Sequence, residues 1–172
     1  MPLYELKGEK PQLDKGCWLA PSAELIGDVV AGKNCSFWFN TTLRGDVMPI
    51  RIGDNTNIQD GSTLHGTHHR CGVTIGNNVT VGHNVILHGC QIGDECLIGM
   101  GSVVMDLAKI PSRSIVGAGS LVTENSEFEE GMLIMGRPAK VVRPLKSEEL
   151  AFLKQSAQNY INYTKWYVDE IS

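Results

Sequence analysis

A period of six residues constrains this chain more than any other feature. Aliphatic residues followed by glycine recur as Ile52-Gly53, Ile75-Gly76, Val81-Gly82, Ile92-Gly93, Ile98-Gly99 and Val116-Gly117. Six-residue steps link them into registers: Ile52, Ile58, Leu64; Ile75, Val81, Leu87; and Ile92, Ile98, Val104, Ile110, Val116, Val122. A rougher register passes through Ala31, Phe37 and Leu43. Neither a helix, with a period of about 3.6, nor a strand, with a period of about 2, gives this spacing. A short strand followed by a tight corner does, and hexapeptide repeats of this kind build a parallel β-helix. Three units close one triangular coil of 18 residues, with the aliphatic side chain of each unit pointing inward onto its counterpart in the next coil. Stacked coils then pair as parallel strands about 4.8 Å apart. Residues 44–51 break the register, residues 65–74 add about five residues to one unit, and the repeat fades after Val122.

Beyond the repeat, Ser147-Glu148-Glu149-Leu150 opens a helix, with Ser147 as its cap and acidic residues in its first turn. Leu150, Leu153, Ala157, Tyr160, Ile161, Thr164, Val168 and Ile171 form one stripe at helical spacing. A single domain over 1–172 is expected, with the β-helix over about 10–145 and a C-terminal α-helix over about 147–170 packed along it. The 19 glycines and 6% aromatic content suit a chain that turns corners often. The net charge of −4 comes without a basic run, so no nucleic-acid footprint is read, and no stretch has the apolar length of a membrane span. The expected compartment is the cytoplasm. Five cysteines, an odd count without a C-x-x-C, argue against a disulfide framework and a cysteine zinc site; they read as small buried hydrophobes.

The coil count also places side chains. Leu64 and Leu87 are inward positions 23 residues apart, which is one coil plus the five inserted residues. His65 and His88 each follow one of these leucines. They are expected outward on one face, one above the other, about 5 Å apart. Taken singly, each would be an ordinary surface histidine; the one-coil spacing sets the pair apart. His83, two residues past Val81, falls on another face of the triangle. It could join the other two only if a three-fold axis set that face against a neighbouring subunit. Three histidines with one open position form a ligand set of catalytic zinc. His68 and His69 lie in the inserted loop and read as surface residues.

Several segments together resemble the γ-class carbonic anhydrases and their shorter relatives among the hexapeptide-repeat proteins. They are Arg44-Gly45-Asp46, the run Ile52 to Asp60, His65, Val81-Gly82-His83, Leu87-His88-Gly89 and Gly136-Arg137-Pro138-Ala139-Lys140. The resemblance implies a left-handed β-helix, a homotrimer, and metal ligands at His65, His83 and His88, with His83 across the subunit boundary. It implies an ion pair between subunits from Arg44 and Asp60, with Asp46 nearby. It gives Gln59 and Asn57 the task of hydrogen-bonding the metal-bound hydroxide and CO2 or bicarbonate. Tyr160 or Tyr163 would reach the site from the helix. The implied cofactor is Zn2+, with Fe2+ or Co2+ as alternatives. The implied reaction is reversible hydration of CO2 to bicarbonate, and no membrane or nucleic-acid partner is implied. The chain departs from the family pattern at Val47 and in its short loop after His65, and no glutamate stands near the site. A slow or silent trimeric metal-binding protein is therefore an alternative expectation, beside a hexapeptide-repeat acyltransferase and a metal-dependent hydrolase.

Overall fold

The computed structural model describes residues 3–168, and its inner side chains stack into three columns, one for each wall of a parallel β-solenoid. On the first wall Leu25, Leu43, Leu64, Leu87, Val104 and Val122 pair in parallel register. The second wall carries Ala31, Ile52, Ile75, Ile92 and Ile110. The third carries Leu19, Phe37, Ile58, Val81, Ile98, Val116 and Ile134. Apart from Leu19, every one of these side chains is at most 5% exposed. The expected parallel β-helix is therefore present.

Two residues before each column residue the chain needs a small side chain, because this position fills a corner of the coil. On the third wall it is Cys35, Thr56, Val79, Cys96 and Ser114 in successive coils, all buried. Buried hydroxyls there bond carbonyls of the neighbouring coil: Thr56 Oγ1 donates to Gly76 O at 2.9 Å and Ser62 Oγ to Gly82 O at 2.9 Å. This position also accounts for most of the cysteines. Cys35, Cys71, Cys90 and Cys96 are buried, Cys17 is half-buried, and all five are free. Burial pushes the thiols of Cys90 and Cys96 up, that of Cys96 to about 12, which suits a packing role. One corner is turned by Asn34, Asn55 and Asn78 in the left-handed region, and their amides form a ladder at 3.1 Å per step.

The structure differs from the sequence expectation in three places. Residues 44–51 do not interrupt pairing: Thr42–Ile52 is one strand that bends from the first wall to the second, against a register shift between Gly27 and Val29 in its neighbour. The solenoid does not fade at Val122 either. Val122, Phe128 and Ile134 keep the six-residue step, Phe128 packs against the core, and Met132–Gly136 adds a rung closed by the antiparallel strand Ala139–Pro144. The aromatic Phe128 and the missing glycine disguise that unit. Finally, Ser147 lies inside the helix Ser147–Val168. The Glu149 carboxylate accepts from Lys146 N at 2.8 Å, so Lys146 is the cap and the box is closed by a side chain from the first turn.

The helix lies on the third wall, running from the last coil back to the first. Leu153, Ser156 and Ala157 are its buried residues, Val168 is exposed, and Ile171 of the predicted stripe lies outside the described residues. At the far end Tyr160 and Tyr167 pack on Trp38, and Tyr167 also reaches Trp18 and Phe39.

Candidate metal centre

Parallel pairing of Thr63–His65 with Ile86–His88 puts His65 and His88 directly opposite one another on the first wall. His65 Nδ1 and His88 Nε2 face each other at 3.2 Å. The other nitrogen of each ring meets a carboxylate: His65 Nε2 lies 3.0 Å from Asp46 Oδ1, and His88 Nδ1 lies 2.6 Å from Asp106 Oδ1. Each carboxylate takes the N–H of its ring, which leaves the two facing nitrogens with lone pairs. Two acceptors at this separation call for a cation between them, a proton or a metal ion. Burial pushes the Asp46 carboxyl up, but hydrogen bonds from Arg44 and His65 outweigh it and hold it below the usual range. Asp106 behaves alike, with Thr67, His88 and Cys71 overcoming the effect of burial. Both are anions suited to orienting a ligand imidazole.

His83 stands on the third wall. Its Nδ1 lies 2.8 Å from Asp60 Oδ2, which leaves Nε2 free, and both side chains are partly exposed. Beside it a buried polar chain runs toward the helix. Gln59 Nε2 donates to Asn57 Oδ1 at 3.1 Å, Asn57 Nδ2 donates to Thr80 Oγ1 at 3.1 Å, and the Thr80 hydroxyl pairs with Ser156 Oγ at 3.0 Å. Gln59, Thr80, Gly82, Tyr160 and Tyr163 line a cavity of about 430 Å³ between this wall and the helix, otherwise mainly apolar. Burial, with Asp60 and Tyr163 nearby, pushes the Tyr160 phenol up to about 12, so it stays protonated.

Within one chain Arg44 pairs with Asp46, and Asp60 pairs with His83. The structure thus brings His65, His88, Asp46 and Arg44 together on one wall, and His83, Asp60, Gln59 and Asn57 together on another. Among the described residues, no three histidine, cysteine or acidic side chains of a single chain converge as a metal site. His68 and His69 are exposed on the inserted loop, their rings stacked at 3.7 Å.

Residues 72–106 match the family described as bacterial transferase hexapeptide (six repeats). The mitochondrial γ carbonic anhydrase 2 of Arabidopsis thaliana is 41% identical over 99% of this chain, which spans 63% of that relative's length. A carbonic anhydrase of Geobacillus kaustophilus is 41% identical over 96% of this chain and 90% of its own. The chain belongs to the γ-class carbonic anhydrase-like family of hexapeptide-repeat proteins. A crystal structure of a hexapeptide transferase family protein from Anaplasma phagocytophilum superposes with a TM-score of 0.92, at 43% identity over 96% of this chain and 98% of that one.

Family membership implies a metal, and the residues present fit one. A tetrahedral ion at 2.0–2.1 Å from each nitrogen separates two of its ligands by about 3.3 Å, close to the facing pair on the first wall. Asp106 escaped the sequence reading, although a signal was present: it follows His88 by 18 residues, the span of one regular coil. The same count that stacks His88 on His65 places Asp106 one coil further on.

Proposed function

We propose that this family member is a metal-dependent, carbonic anhydrase-like lyase that interconverts CO2 and bicarbonate in the cytoplasm as a homotrimer. His65 and His88 of one subunit and His83 of the next would hold the ion, with zinc first and Fe2+ or Co2+ as alternatives. The observation that carries this reading is the pair of lone-pair nitrogens 3.2 Å apart, each ring anchored by its own aspartate. A bound divalent metal supplies water acidified enough to act as a nucleophile near neutral pH.

The protein's own residues do the rest. Gln59 spends one N–H on Asn57, so its carbonyl oxygen and second N–H are left to accept from the attacking hydroxyl and donate to an oxygen of CO2 or bicarbonate. Asn57, tied to Thr80, holds that amide still. Ile86 and Met100 support a covered interface: they are 43% and 58% exposed and adjoin the two histidine sites, Ile86 beside His88 and Met100 one coil from His83. Across that interface Arg44 would meet Asp60 as a bidentate pair.

Subunit exchange tests the shared site. His83→Ala chains and His65→Ala chains are each expected to lose metal and CO2 hydration. Refolded together, they are expected to regain a fraction of both, since the first keeps an intact first wall and the second an intact third wall. Mixed trimers without any recovery would overturn the arrangement. The cavity of about 430 Å³, far larger than CO2 needs, supports acyl transfer as a second reading. Acetyl-coenzyme A turnover that survives a metal chelator would favour it.

A further inference from the structure

We infer that Asp106 is a positioning residue for His88, and that the inserted loop 65–74 braces it. The inference rests on the reading of His88 as a metal ligand. Asp106 belongs to the coil beyond His88 and is 5% exposed. One carboxylate oxygen takes His88 Nδ1–H at 2.6 Å. The other takes the Thr67 hydroxyl at 2.6 Å and Arg70 Nη1 at 3.3 Å, both from the inserted loop. Arg70 is tied in turn to Glu124 Oε2 at 3.1 Å. A carboxylate bound at both oxygens cannot swing, so the imidazole it holds keeps one orientation and one tautomer, with Nε2 free of a proton.

The aspartates on the other two histidines are looser. Their side chains are 17% exposed for Asp46 and 41% for Asp60, against 7% for Asp106. Gly89 completes the arrangement. It has φ of +59°, and a Cβ there would lie 2.5 Å from Cys71 Sγ and 2.7 Å from Asp106 Oδ1. Only glycine lets the carboxylate reach past the backbone to the ring. The inserted residues therefore do more than lengthen a coil: they carry Thr67 and Arg70 to the carboxylate that sets the ligand.

Zinc affinity, measured by competition with a chromophoric chelator, tests this on the full chain. Asp106→Ala is expected to bind zinc about 10–100-fold more weakly, the usual consequence of removing such a partner. Asp106→Asn, which keeps an oxygen in place, is expected to fall between it and the wild type. Nitrogen-15 spectra of the metal-free protein supply a readout that a loss of stability alone would not move. The Nδ1–H form of His88 is expected to dominate in the wild type and in Asp106→Asn, and to give way to a tautomer mixture in Asp106→Ala. An Asp106→Ala protein with wild-type affinity and an unchanged tautomer overturns the inference. Should that variant fail to fold, Thr67→Val removes one hydrogen bond of the brace and no charge; an unchanged zinc affinity there overturns the inference equally. His88→Ala separates the two levels, because zinc retained by that variant sinks the ligand reading itself.

Discussion

The first and third walls each carry histidines, and they hold them in different ways. On the first wall, strand pairing alone brings two rings to a nitrogen–nitrogen distance of 3.2 Å on an uncovered face. On the third wall a single histidine stands beside a face that the helix covers, and the polar groups there are linked into a buried chain ending on Ser156. In both cases the orienting carboxylate comes from a neighbouring coil, Asp106 for His88 and Asp60 for His83. A solenoid can therefore bring together whatever lies within one wall, because register fixes it. It cannot bring two walls together, and a site that draws on both needs a second chain.

That division predicts effects of different size on the two walls. Leu87→Ala removes a fully buried side chain next to His88. A loss of about 2–5 kcal/mol is expected in denaturant unfolding, together with weaker zinc binding; a stability loss with zinc affinity untouched would separate the core column from the histidines it is thought to place. On the third wall Ser156→Ala deletes the helix end of the polar chain. A cost of about 1 kcal/mol is expected, with zinc affinity unchanged, since the first wall does not feel it; a fall in affinity would show that the walls are coupled. The smallest effect concerns how the helix is fastened. Arg143 holds Glu149 in a fork at 2.7 and 2.8 Å, and this pair, with Lys146 N, depresses the Glu149 carboxyl from 4.5 to about 2. A depressed carboxyl contributes stability that is present above its unfolded value and lost as pH falls through the folded one. Glu149→Gln is therefore expected to melt slightly below the wild type at pH 7, and the gap is expected to close as pH falls from about 4.5 toward 2. A gap that persists at the low end would mean that the fork acts through shape and not through charge.

Much of the wall architecture was legible from spacing. The period of six located the inward columns, and adding the five-residue insertion placed His65 over His88, as the pairing of Leu64 with Leu87 requires. The same arithmetic reached its limit where a unit lacks the aliphatic-glycine signature, so the rung through Phe128 and Ile134 passed unseen. It also went unused for Asp106, which was not singled out because an aspartate in a corner has reasons of its own to be there.

The sequence by itself determined the coil, the columns and the face on which each histidine falls, because a repeat of fixed length maps position in the chain onto position in space. Only the tertiary structure decided which ring nitrogen meets which carboxylate, that Thr67 and Arg70 turn back onto Asp106, and that Asn57 and Gln59 connect through Thr80 to the helix. Those contacts join irregular segments whose path depends on packing, and packing leaves no period in the sequence to count.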